Sequence, residues 1–203
     1  MDTDGSEGYV GNFNYFSFTQ TATASTQLSL TLFLHGIGKG GDNVNPTSTG
    51  NTAPVHTDRD MKIELFDSQN SPITPIYGTV SYASASGSFT SVLNAGNVAS
   101  GPYTVKVSVP QYLTRKYSGI ILLTAGSTNS IPSLSLVAGD IKPDNALNIL
   151  DYNTLLDCFS DLAPAKNCDA VKKRQSDITD DGKVNQFDYN LFLRELSVQQ
   201  GDM

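Results

Sequence analysis

Two stretches of this chain carry the same spacing of oxygen-bearing side chains. DIKPDNALNILD runs from Asp140 to Asp151 and DITDDGKVNQFD from Asp177 to Asp188, an offset of 37 residues. Asp140, Ile141, Asp144, Asn148, Asp151, Tyr152 and Asn153 return as Asp177, Ile178, Asp181, Asn185, Asp188, Tyr189 and Asn190. A solvated acidic turn has little reason to recur with its spacing intact, whereas a duplicated ligand loop does. A hard cation such as Ca²⁺ takes about six to eight oxygens, which a twelve-residue loop supplies from positions 1, 3, 5, 7, 9 and 12. In the second copy these are Asp177, Thr179, Asp181, the carbonyl of Lys183, Asn185 and Asp188. Gly182 falls at position 6, where the chain must turn sharply. Val184, at position 8, is expected to pair with Leu147 in a short bridge between the loops, and Asp188 to cap the helix that follows.

The first copy offers Asp140, Lys142, Asp144, the carbonyl of Ala146, Asn148 and Asp151. Lys142 brings an ammonium to position 3. Either its side chain swings out and water takes the place, or the site is weak or empty. Asn145 at position 6 visits the left-handed region more readily than most residues. Calcium is expected in both loops. Two features depart from the EF-hand pattern: position 12 is Asp rather than Glu, and no convincing helix precedes either loop.

The elements that must position these loops fall into two halves. Residues 11–138 alternate with period two. QLSLTLFLH puts Leu28, Leu30, Leu32 and Leu34 on one face; MKIELF does so with Met61, Ile63 and Leu65, and PYTVKVSVP with Tyr103, Val105, Val107 and Val109. Further strands are expected at 12–19, 76–83, 87–93, 117–124 and 131–137, which together predict an antiparallel, immunoglobulin-like β-sandwich. Residues 1–10 read as a flexible N-terminus. MDTDGSEG is polar and shows no secretion signal, as expected of an initiator methionine ahead of a mature fragment. From Gly139 the period becomes helical, with stripes Tyr152, Leu155, Leu156, Phe159 and Tyr189, Phe192, Leu193, Leu196, so 139–200 reads as a small all-α calcium domain. Between the first strands, Gly36–Thr57 lacks any period; a loop this long is functional or mobile. It holds Asp42, Asn43 and Asn45 between His35 and His56, a conceivable second metal or ligand site set against an ordinary surface loop.

Charge and composition narrow the function. The chain carries 13 basic and 20 acidic residues, a net of −7. From Gly139 onward there are twelve acids and seven bases, a net of −5. An acidic chain without a basic face does not suit nucleic acid or an anionic membrane. The longest apolar run, GIILLT, falls far short of the ~20 residues that span a bilayer. With two histidines, no G-x-S-x-G elbow and no Gly-rich phosphate loop, the chain is read as no enzyme. Cys158 and Cys168 are either two buried thiols or a disulfide closing a short loop. The bridge is the stronger reading; it would stabilise by about 2–3 kcal/mol and point to an oxidising, extracellular or cell-surface setting.

A duplicated calcium loop that ends in Asp and runs directly into a helix resembles the dockerin module of cellulosomal and cell-surface proteins. The resemblance covers 139–200, and the preceding alternation, with its SGPYTVKV strand, resembles the immunoglobulin-like or X-module domains that often precede dockerins. It implies a non-catalytic module that binds a cohesin domain on another protein, in a calcium-dependent way. The contact positions it implies, loop positions 10 and 11, are here Ile149 and Leu150 in one copy and Gln186 and Phe187 in the other. Leu150 and Phe187 either face such a partner or pack within the chain. The alternative is a calcium-stabilised C-terminal region of a surface adhesin whose sandwich binds carbohydrate.

Overall fold

A computed structural model describes residues 24–161 and 163–202. The expected strand 12–19 and the stretch 1–10 lie outside the described residues. Within them the chain is mostly β, a curled sheet followed by three short helices. Alternating apolar residues form the long strands β1 (Gln27–Leu34), β2 (Asp58–Phe66), β3 (Ile76–Ala83), β4 (Ser88–Asn94) and β5 (Gly101–Ser108). Short strands follow: β6 (Gln111–Tyr112), β7 (Arg115–Lys116), β8 (Ile121–Leu123), β9 (Thr128–Ser130), β10 (Leu134–Leu136) and β11 (Ala138–Asp140). The sheet runs β10-β1-β4-β3-β2-β5-β7, with β9 also on β1 and β8 also on β5.

Two expectations change here. The strand expected at 117–124 shortens to β8, which pairs along β5 after a break from the preceding β7. The one expected at 131–137 shortens to β10, separated from the preceding β9 near Pro132, which has no N–H to give a ladder. β9 and β10 also pair with β1 in parallel rather than antiparallel. The chain reaches that edge by crossing from the opposite one, not by a hairpin.

That crossing explains the curl. β8 and β9 sit on opposite edges of a sheet seven strands wide, yet only residues 124–127 separate them. Six interstrand gaps of ~4.8 Å would hold flat edges about 29 Å apart. The link from Leu123 to Thr128 reaches about 18 Å at full stretch. The sheet must therefore bend into a half-barrel, and its concave face takes Leu28, Leu30, Leu32, Ile63, Leu65, Phe89, Val105 and Val107, all buried. Each such side chain contributes roughly 1.5–3 kcal/mol by leaving water.

The helices are α1 (Ile149–Cys158), α2 (Ala170–Ser176) and α3 (Gln186–Glu195). α2 was not expected, because AVKKRQS has no apolar stripe. It is set by the Asp169 cap on the amide of Lys172, and it runs straight into Asp177, so a helix does precede the second loop. Cys158 and Cys168 are joined by a disulfide that ties the end of α1 to the start of α2. Tyr152 and Tyr189, equivalent residues of the repeat, meet at 6.2 Å between ring centroids. Leu155 and Phe192 are buried, whereas Leu156 and Leu193 of the expected stripes face outward. Helix phase is the reason: capping at Asn148 and Asn185 turns Thr154 and Leu191 inward instead.

One apolar core runs through both halves, passing from Leu113, Val137 and Ala138 to Ile141, Leu147, Ile178, Val184 and Phe192. Gly139, at φ +115°, marks the passage; a Cβ there would stand 3.0 Å from the Phe192 ring. β11 pairs with β6, so Asp140 begins its loop already fixed to the sheet half.

Candidate metal centre

Each loop is organised by its own carboxylates. In the second, the Asp177 carboxylate accepts from the amides of Asp181 (3.0 Å) and Gly182 (2.9 Å). Asp181 accepts from the amide of Lys183 at 2.9 Å and from Asn185 Nδ2 at 3.2 Å. Asp188 closes the ring, taking the amide of Thr179 and that of Asn185, each at 2.9 Å. Gly182 makes the turn at φ +87°.

The first loop repeats this bond for bond. Asp140 accepts from the amides of Asp144 and Asn145, both at 3.2 Å. Asp144 accepts from the amide of Ala146 (3.0 Å) and from Asn148 Nδ2 (3.0 Å). Asp151 takes the amides of Lys142 (2.7 Å) and Asn148 (2.9 Å). Asn145 makes the turn at φ +61°. Lys142 thus serves through its backbone, and its side chain is exposed. Thr179 adds its hydroxyl to Asp188 at 2.9 Å, a bond that Lys142 cannot make.

Some expected roles move. The helix caps are Asn148 and Asn185, whose side-chain oxygens accept from Leu150 and Phe187, with Asp151 and Asp188 reaching back as the second half of a capping box. Leu147 and Val184 do not bridge each other: the amide of Leu147 donates to Gln199, and the carbonyl of Val184 accepts from Ser160. Each loop has found a closer neighbour, the C-terminal tail for one and the end of α1 for the other. Among the described residues, no three His, Cys, Asp or Glu side chains gather into a metal-binding cluster. The loop carboxylates are nonetheless near enough to feel one another. Burial, then the charge of Asp151, raises Asp140 to about 7; burial, then the charge of Asp188, raises Asp177 to about 7. Asp151 and Asp188 are raised as well, chiefly by burial.

Residues 36–57 form an ordered strap over the second loop and α3. Gly36 to Gly41 are mostly buried, and Asn51 and Gly36 exchange backbone contact through the amide of Asn51 (2.8 Å). The ligand-type residues are each engaged elsewhere. Asp42 holds Arg194 at 2.8 Å, and Asn43 donates to the carbonyl of Glu195. His35 pairs with the buried Glu195 at 2.9 Å, and His56 with Asp180 at 2.6 Å. The amide of Asn45 donates to the Asp42 carboxylate in a turn.

Asp180 is the residue that loop positions do not account for. Its carboxylate turns out of the loop to Arg59 Nη2 (3.0 Å) and the amide of His56 (2.8 Å). A signal for it exists in β2, where Arg59 occupies the same inward phase as Met61, Ile63 and Leu65. A buried guanidinium calls for a buried acid.

The first turns of α1 and α3 present Ile149, Leu150, Gln186 and Phe187 to solvent, Leu150 at 54% and Phe187 at 60% exposure. Their settings differ. Phe187 borders a cleft of about 400 Å³ between α3 and the strap, lined also by Asp42, Asn51, Asp181 and Arg194.

No protein-family model matches the sequence. The chain is 31% identical over 106 residues to cellulosomal-scaffolding protein B of Acetivibrio thermocellus, a match covering 51% of this chain and 13% of that protein. Cellulosomal-scaffolding protein A of the same species matches at 31% over 106 residues, 5% of its length. The chain thus spans a small part of these relatives. A chain from a crystal structure of a type II cohesin–X-dockerin complex from Acetivibrio cellulolyticus, an N-terminal interface mutant, has the same fold at a TM-score of 0.50. That match is 20% identical and covers 84% of this chain and 94% of the other.

Proposed function

We propose that this chain is a non-catalytic, calcium-dependent interaction module of an extracellular protein assembly: a dockerin-like pair of metal loops carried on an immunoglobulin-like, X-module-like sandwich. The observation that carries this reading is the recurrence of the loops bond for bond at an offset of 37 residues. The donor set is all oxygen, and its buried carboxylates raise one another, so a hard divalent cation fits and would relieve their repulsion. Asp177, Asp181 and Asp188, with the carbonyl of Lys183 and with Asn185, would hold it in the second loop. Asp140, Asp144 and Asp151, with the carbonyl of Ala146 and with Asn148, would hold it in the first, and water would stand where Lys142 turns away. Thr179 supports Asp188 through its hydroxyl.

The exposed first turns of α1 and α3 are the partner surface in this reading, with Leu150 and Phe187 as apolar anchors. Likeness to cellulosomal scaffolding proteins supports a cohesin-type partner, and the disulfide supports an oxidising, extracellular setting. The test is calorimetric. Calcium titration should report two sites, and calcium-loaded protein should bind a member of a cohesin panel and release it with chelator. Absence of calcium binding would overturn the reading.

The continuous core favours a second reading, a rigid calcium-stabilised terminal region of a surface adhesin whose sandwich binds carbohydrate. Calcium-dependent folding with no cohesin bound, and retention on a glycan array, would select it. Among the described residues no helix is long and apolar enough to cross a membrane.

A further inference from the structure

The two loops are alike inside and unlike in what holds them from outside. The first is held mostly by backbone: β11 pairs with β6, the tail residues Gln199 and Gly201 bond to Leu147 and Asn145, and Asn145 Oδ1 accepts from the amide of Thr114. The second is held by the strap, through Asn51, Val55 and His56, and by one side chain of the sheet that reaches it at two points. Arg59, buried on β2, gives Nη2 to Asp180 and Nη1 to Gln111 Oε1 at 2.9 Å. Gln111 in turn donates to the carbonyls of Arg174 (2.8 Å) and Gln175 (2.9 Å), the last turn of α2 before Asp177. Arg59 therefore grips loop position 4 directly and, through Gln111, the chain entering position 1.

Backbone conformation gives an independent sign of the same device. Asp180 lies at φ +54° and Gln111 at φ +73°, two of four described non-glycine residues with positive φ. Such conformations persist where surroundings over-determine them. Both residues are bonded to Arg59. The first loop has Pro143 at the position of Asp180, whose ring forbids positive φ and which offers no carboxylate. Asn51 completes the hold, donating Nδ2 to the carbonyls of Thr179 (2.9 Å) and Asp180 (2.8 Å).

We infer that Arg59 is a positioning residue for the second cation site, holding that loop in its ligating shape through the side chains of Asp180 and Gln111, while the first loop meets Gln111 only through the backbone pairing of Asp140. This rests on the calcium reading above. The consequence is selective: the Arg59 side chain bears on the second loop, whereas the first takes its tie to the sheet half from the β6–β11 pairing and from the amide of Thr114 on Asn145 Oδ1.

The experiment uses the full chain in two single-site backgrounds, Asp144→Asn to silence the first loop and Asp181→Asn to silence the second. Both replaced residues are exposed, and Asn keeps one acceptor oxygen for the loop amide at each position. Calcium titration by calorimetry then compares Arg59 with Arg59→Met in each. The expected result is a loss of about tenfold or more at the second site, the usual effect of removing a residue behind a ligand, with the first site within about twofold. Adding Asp180→Asn to Arg59→Met removes a buried carboxylate charge left with His56 as its remaining partner; it should recover the melting temperature of the metal-free protein without recovering second-site affinity. It also serves as the test variant if Arg59→Met alone does not fold. Equal losses at both sites, or no loss at the second, overturn the inference. If both backgrounds bind no calcium with Arg59 intact, the calcium reading itself fails and the inference with it.

Discussion

Asp188 has no exposed surface and three donors on its two oxygens, the amides of Thr179 and Asn185 and the hydroxyl of Thr179. Asp188→Ala leaves all three without that acceptor and removes the reach-back bond that starts α3. A loss of about 2–4 kcal/mol follows from the orphaned donors and the lost cap, and calcium stoichiometry should fall from two to one; chemical denaturation and calorimetry check both. Lys142→Ala, which keeps the backbone amide on Asp151, should leave first-loop binding nearly unchanged. Proton linkage gives a second prediction. Asp140 and Asp177 are raised from 3.8 to about 7 in the folded chain. Their protonated forms favour folding, so that stability is fully present below about 4 and is lost as pH rises through about 7. Metal-free protein should therefore melt higher at pH 5 than at pH 7.5, and added calcium should reverse that order. At this scale the spacing made the ring of carboxylates and the turns at Gly182 and Asn145 legible. It did not reveal Asp180, because its partners lie more than 120 residues away and a one-dimensional spacing holds no record of them.

At the scale of elements, the long strands followed their period, while the helical stripes were right in type but off in phase at Leu156 and Leu193, and α2 and the strap carry no period at all. Alternation exposed the long strands because one face of each must be apolar. AVKKRQS formed a helix on the strength of one cap, which a search for apolar stripes passes over. The strap 36–57 was legible as unusual but not as ordered, since glycine backbone and long-range contacts hold it rather than an apolar pattern. Gly36 shows how closely it is docked: at φ +88°, a Cβ there would clash with Leu191 of α3. Gly36→Ala should destabilise by about 2 kcal/mol or more, through both strain and overpacking. Hydrogen exchange should show faster opening of the strap and α3 together; acceleration confined to the strap would mean that the two are not energetically joined.

For the whole molecule, the change of period near Gly139 reads as a boundary, yet the core passes through it without a break. A boundary in period records a change of local geometry. Cooperativity depends instead on shared burial and on ties such as His35–Glu195, Arg59–Asp180 and Arg194–Asp42, which join residues distant in sequence. Two independent halves would let chelation loosen 139–200 and leave the sheet half folded; the shared core argues for a joint response. At calcium a hundredfold above its dissociation constant, one site stabilises the chain by about 2.7 kcal/mol. For a domain of this size that is a shift of roughly 5–10 °C in melting temperature per site. Tyrosine probes should follow it in both halves, Tyr103 and Tyr117 in the sheet and Tyr152 and Tyr189 between the helices. Chelator should lower all of them by the same amount, in one transition. Two transitions, with the sheet tyrosines indifferent to chelator, would show that the ion pairs and the core at Gly139 hold the halves together without coupling their stability.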